Sequence, residues 1–98
     1  MKKLAQPSRP TAETLAIQAL VFIAEEPERL GSFIAATGIA PDRIRDAARS
    51  PDFLAGVLEH MLGDENLLVA FADGAGIDPA EIARAHGVLG KAWERDLL

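Results

Sequence analysis

The chain has no cysteine and no tyrosine, and its aromatic residues are four phenylalanines and a single tryptophan. Without cysteine there are no disulfides, no thiolate nucleophile and no zinc site built on thiolates. The scarcity of aromatics and the lack of β-branched runs argue against strands, which favour both. No apolar run approaches the ~20 residues of a membrane-spanning helix. The longest, Leu15 to Ala24, reads LAIQALVFIA. It is preceded by Glu13, interrupted by Gln18 and followed by Glu25-Glu26-Pro27, where a leader peptide would carry small residues for cleavage. The expectation is a core helix in a cytoplasmic protein. Glycines are scattered rather than clustered, so no phosphate-cradling loop is present.

What the 98 residues do contain is helix-forming material, with 49% apolar residues rich in Ala, Leu and Ile. A chain of this length is one domain, long enough to bury a core unaided. Charge is unevenly spread. Residues 1–10 hold Lys2, Lys3 and Arg9 and no acid, whereas the whole chain carries a net −5. Residues 1–10 read as a flexible basic arm, and 11–98 as a single helical domain with a strongly acidic balance. Such a body repels phosphate, which weighs against nucleic acid and anionic membranes as partners.

Punctuation divides the domain. Pro27, Pro41, Pro51 and Pro79 each precede an amphipathic stretch, as expected of proline in a first helical turn. Asp78-Pro79-Ala80-Glu81 has the form of a capping box, and Ser50-Pro51-Asp52 offers a hydroxyl cap. Gly38, Gly63 and Gly76 follow apolar runs and suit the left-handed residue past a helix end. The spacing predicts helices at about 12–25, 27–37, 41–48, 51–62, 65–74 and 79–95. On the fourth, Leu54, Val57, Leu58 and Met61 form the dry stripe and Asp52, Gly56, Glu59 and His60 the wet one; on the sixth, Ile82, Ala85, Leu89 and Trp93 form the dry stripe. The first helix is apolar nearly all round, which places it at the centre of the bundle or partly under another chain.

Residues 37–47 (TGIAPDRIRDA) and 75–85 (AGIDPAEIARA) nearly repeat each other. An offset of 38 also pairs Leu15 with Phe53, Leu20 with Leu58, Ile23 with Met61, Leu30 with Leu68 and Phe33 with Phe71. The expected fold is therefore an all-α, compact bundle of five to six short helices, built from two pseudo-symmetric three-helix repeats, 11–48 and 49–86, with 87–98 extending the last helix.

The doubled phrase also fits a helix-turn-helix, with Ala72, Gly76 and Ile82 at its small, turn and branched positions; Ile34, Gly38 and Ile44 match only in part. A DNA reader needs donors for phosphates and base edges. Arg43, Arg45 and Arg49 supply them, but interleaved with Asp42 and Asp46, with which they can pair at spacings of three and four. His60 and His86 lie in no metal-ligand spacing, and Glu59 next to His60 points to another side of the helix. Ser32, Ser50, Thr11 and Thr37 are better explained as caps or loop residues. The acids Glu25, Glu26 and Glu28, and Asp64 with Glu65, lack a calcium-loop pattern and flank helix starts, where the dipole favours them. No catalytic residue, metal ligand or cofactor is assigned. Trp93 either closes the edge of the bundle or, with Leu97 and Leu98, offers an aromatic anchor for a protein partner.

The order of LAIQALVFIAEEPERLGSFIAATGI and PDFLAGVLEHMLGDENLLVAFADGAGIDP resembles the small bacterial proteins of the domain of unknown function 3572 family, over about residues 12–86. The resemblance implies a bacterial cytosolic helical protein and carries no activity, cofactor or catalytic residue with it. The expected function is a non-enzymatic protein–protein interaction or adaptor module, with a homodimer through the first helix as one form. The alternative is a helix-turn-helix DNA-associated regulator using Arg43, Arg45 and Arg49. An enzyme requires that folding assemble distant carboxylates and a histidine in one cleft.

Overall fold

A computed structural model describes residues 7–90 of the chain. Within them the elements are α1 (Arg9–Ala24), α2 (Pro27–Thr37), a 3-10 turn (Pro41–Arg43), α3 (Ile44–Ala47), α4 (Pro51–Leu62), α5 (Glu65–Ala75) and α6 (Pro79–Gly90), with no strand among the described residues. The all-α expectation holds. Residues 1–6 of the basic arm and 91–98, with Trp93, Leu97 and Leu98, lie outside the described residues. Ser8 caps α1, accepting a hydrogen bond from the Thr11 amide at 3.2 Å, and Arg9 and Pro10 form its first turn.

The starts follow the chemistry of the sequence. Asp78 and Glu81 form the reciprocal box: Asp78 Oδ1 accepts from the Ala80 amide at 2.9 Å, and Glu81 Oε1 accepts from the Asp78 amide at 3.4 Å. Asp64 caps α5, accepting from the Leu67 amide at 3.1 Å. Ser50 stands at the N-cap of α4, but its hydroxyl makes no cap bond; its carbonyl accepts from the Leu54 amide at 3.1 Å instead.

Two expectations about the joints are corrected. Gly63 is not left-handed: its φ is −81°. Gly63 and Asp64 separate α4 from α5, and the right-handed Gly63 leads directly into Asp64, which caps the next helix. Gly38 and Gly76, at φ +74° and +69°, do take that conformation. The helix expected at 41–48 is a 3-10 turn followed by four α-helical residues. The shortening lies at the start, where residues 41–43 are 3-10; Pro51 holds Ser50 in extended backbone beyond the helix end.

α1, α4 and α6 pack against one another at the centre, with α2 laid on α1 and α5 on α4. Their buried faces are Ala12, Ala16, Ala19, Leu20 and Ile23 from α1; Leu54, Val57, Leu58 and Met61 from α4; and Ile82, Ala85, Val88 and Leu89 from α6. The three alanines of α1 keep its buried side thin, which lets the neighbouring helices approach closely. Phe33 from α2 and Phe71 from α5 fill the flanks. Full burial of such a side chain contributes roughly 1.5–3 kcal/mol. No charged or polar side chain is buried among the described residues. None of their helices is long and apolar enough to cross a membrane.

At an offset of 38, residues 16, 19, 20, 23 and 33 are buried, and so are 54, 57, 58, 61 and 71. The third helices part company. α6 is twelve residues long and packs on both α1 and α4, whereas α3 is one turn.

Candidate functional site

Three surfaces emerge from this packing. The first is the outer side of α1. Because Ala12, Ala16, Ala19 and Ile23 turn inward, Ile17 and Val21, one turn apart, are left 43% and 53% exposed. This is the outcome of an all-round apolar helix placed at the centre of a thin bundle: one side has no neighbour within the described chain. Val69 on α5 is exposed to a similar degree.

The second is the α3 region. Arg43, Arg45 and Arg49 are all exposed. The pairing expected with Asp42 and Asp46 does not form: among the described residues, none of the three arginines lies within 4 Å of a carboxylate. Only Arg45 stands on α3; Arg43 ends the 3-10 turn and Arg49 lies past the helix, so no single helix presents the three. The second copy of the doubled phrase, α6, turns Ile82 and Ala85 into the core.

The third is a cleft of about 730 Å³ between α2 and the α4–α5 junction. Ala36 and Thr37 line one side, Gly56, Glu59, His60 and Gly63 the α4 side, and Asp64, Glu65 and Asn66 the end. His60, Asp64 and Asn66 also border a second lobe of about 300 Å³ that reaches Arg29 and Ser32. His60 is the hinge between the two. Its ring packs edge-on against Phe33, with centroids 5.2 Å apart, and its nitrogens find no hydrogen-bond partner among the described residues. His60 is half-exposed, as its place on the wet stripe of the helix implies, with Phe33 covering one side of the ring.

The histidines are thus more engaged than the sequence indicated. Glu59 does turn away from His60, as its position on the helix requires, and meets His86 of α6 instead, Oε1 to Nε2 at 3.5 Å. Sequence reasoning missed this pair because its members are 27 residues apart, and only the packing of α6 on α4 joins them. Carboxylates and a histidine do share the cleft, as an enzyme would require. What is absent among the described residues is a bond between them: Ser32 lies in the smaller lobe without a hydrogen bond to His60, and Asp64 is committed to its cap. Thr37 donates to the Phe33 carbonyl at 2.8 Å, Thr11 bonds Ser8, and Ser50 sits at a helix start, in agreement with structural roles. Glu26 pairs with Arg29 at 3.3 Å, and the Arg29 guanidinium lies 4.1 Å from the centroid of the Phe22 ring. No group of three or more potential ligands among the described residues could hold a metal ion.

A family model described as "Protein of unknown function (DUF3572)" matches residues 9–92. No curated protein and no solved structure matches the chain.

Proposed function

The chain belongs to the family described as protein of unknown function (DUF3572), and for this member we propose the role of a non-enzymatic, cytoplasmic protein–protein interaction module. The observation that carries the reading is the exposed apolar pair Ile17 and Val21 on a helix whose other side is core. Apolar residues grouped along one exposed helix face lower the free energy of association when a partner covers them. A second copy of the chain is one such partner. Ile17→Glu/Val21→Glu tests the reading. Both positions are exposed and glutamate is a good helix former, so the fold is retained. Proteins captured by the wild-type chain from its own cell lysate should be lost by the variant. Retention of every partner would refute the reading.

One observation favours DNA-associated regulation as a second reading: Arg43, Arg45 and Arg49 are exposed and free of carboxylates among the described residues, just past the Gly38 turn. That reading expects DNA binding that falls steeply with salt and is lost on Arg45→Ala/Arg49→Ala. Binding that ignores salt, or none, ends it.

The same account takes 11–48 and 49–86 as copies of one unit. Reciprocal ring contacts support this: Phe22 packs on Phe71 at 5.4 Å, and their partners at the 38-residue offset, His60 and Phe33, pack at 5.2 Å.

A further inference from the structure

We propose that the cleft between α2 and the α4–α5 junction binds a lysine- or arginine-bearing segment of a partner protein. The proposal rests on the interaction-module reading for the partner's being a protein, and adds to it a site and a ligand chemistry.

Shape is the first ground. The larger cleft and its second lobe share His60, Asp64 and Asn66, so together they form one open groove running from Ala36 and Thr37 to Arg29 and Ser32, with room for a stretch of chain. The floor is the second. Gly56 lies in the middle of α4, where glycine is unfavourable relative to alanine, and a Cβ there would meet nothing within 4 Å. Packing does not demand the glycine. Gly31, Gly74 and Gly87 have the same freedom, but Gly56 lines the cleft, and the missing side chain leaves open the space one turn before His60. Third, the His60 ring is fixed from behind by Phe33, and its nitrogens have no partner among the described residues. His60 lines both lobes, so a segment lying there can supply that partner.

Charge decides the chemistry of that segment. Glu59, Asp64 and Glu65 line the larger cleft and no lysine or arginine does; Glu59 also meets His86 and Asp64 also caps α5, so Glu65 is the carboxylate with no partner among the described residues. Arg29, in the smaller lobe, is held by Glu26 and the Phe22 ring. An anionic ligand is repelled here, and a metal ion lacks a ligand set. The other two surfaces give less. Nothing in the structure shows what covers Ile17 and Val21, and the arginines around α3 are diluted by Asp42 and Asp46.

The test is a titration of the full-length, isotope-labelled chain with the peptide acetyl-Ala-Lys-Ala-Arg-Ala-Lys-amide, followed by amide chemical shifts. The expected result is shifts concentrated at Gly56, His60, Gly63 and Asn66. Affinity should fall with salt, and by about tenfold in Glu59→Lys/Glu65→Lys, since charge complementarity at a rim is screened and reversible in sign. Gly56→Leu should block the groove and cut affinity as much, in a chain that keeps its helical circular dichroism. Unchanged affinity in both variants would overturn the proposal. So would shifts scattered over the acidic surface, equal binding of the peptide with glutamate in place of its bases, or no binding at all. Binding seen only in Lys2→Glu/Lys3→Glu would assign the groove to the chain's own basic segment, and overturns it too. Any of these failures leaves lysate capture through Ile17 and Val21 untouched, so the two readings fail separately.

Discussion

Replacing Gly76 with alanine tests the claim that the joint after α5 requires a left-handed residue, and Gly74→Ala, two positions earlier, supplies the control. Gly76 has φ +69° and its amide donates to the Asp73 carbonyl at 3.3 Å, while the Ile77 amide reaches the Ala72 carbonyl at 3.0 Å. Those bonds turn Ile77 back against the core. A Cβ at Gly76 meets no atom within 4 Å, so any penalty is conformational and not steric crowding by neighbours. Holding a non-glycine residue in this region costs about 1–2 kcal/mol. Gly74 is helical, and its surroundings are equally open. There alanine reduces the entropy of the unfolded chain at no native cost and stabilises by about 0.4–1 kcal/mol. The two variants therefore move in opposite directions. For a domain of this size each kcal/mol shifts the melting temperature by about 4–8 °C. Thermal unfolding followed by circular dichroism should show Gly76→Ala several degrees below wild type and Gly74→Ala a few degrees above. If both fall, or Gly76→Ala is neutral, the argument about the joint is wrong.

Phe33→Ala should cost about 3–5 kcal/mol, because the ring is fully buried and supports Phe53 and His60; chemical denaturation would register the loss of much of the stability of a small domain. Asp64→Ala removes the α5 cap and should cost about 1 kcal/mol, read as a lower urea midpoint at unchanged slope. Ile17→Glu/Val21→Glu should leave the unfolding free energy measured in urea within about 0.5 kcal/mol of wild type, since exposed substitutions have small effects. A collapse of stability in that variant would mean the α1 face is covered within the chain itself.

Much of the fold was legible because its determinants are local. Proline at 27, 41, 51 and 79, aspartate at 78 and the glycines at 38 and 76 each fix a helix end through their own backbone chemistry, independent of what lies nearby. The stripes of α4 and α6 were legible for the same reason, since spacings of three and four define a face. What escaped was non-local. The shortening of α3 follows from the 3-10 geometry after Pro41, which apolar spacing does not report. The Glu59–His86 pair and the Phe33–His60 contact depend on which helices meet. The cleft was least legible, because its floor is made by Gly56, a residue with no side chain to leave a pattern. The excess apolar character of α1 was visible from the start, and the structure adds which residues carry it.

The central claim is that this family member works through protein contacts. Capture of the tagged full-length chain from its own cell lysate, with and without nuclease, tests it most directly. The account predicts a defined protein partner or a second copy of the chain, retained after nuclease and lost with Ile17→Glu/Val21→Glu. Partners that vanish on nuclease treatment, or nucleic acid recovered through Arg43, Arg45 and Arg49, would contradict it.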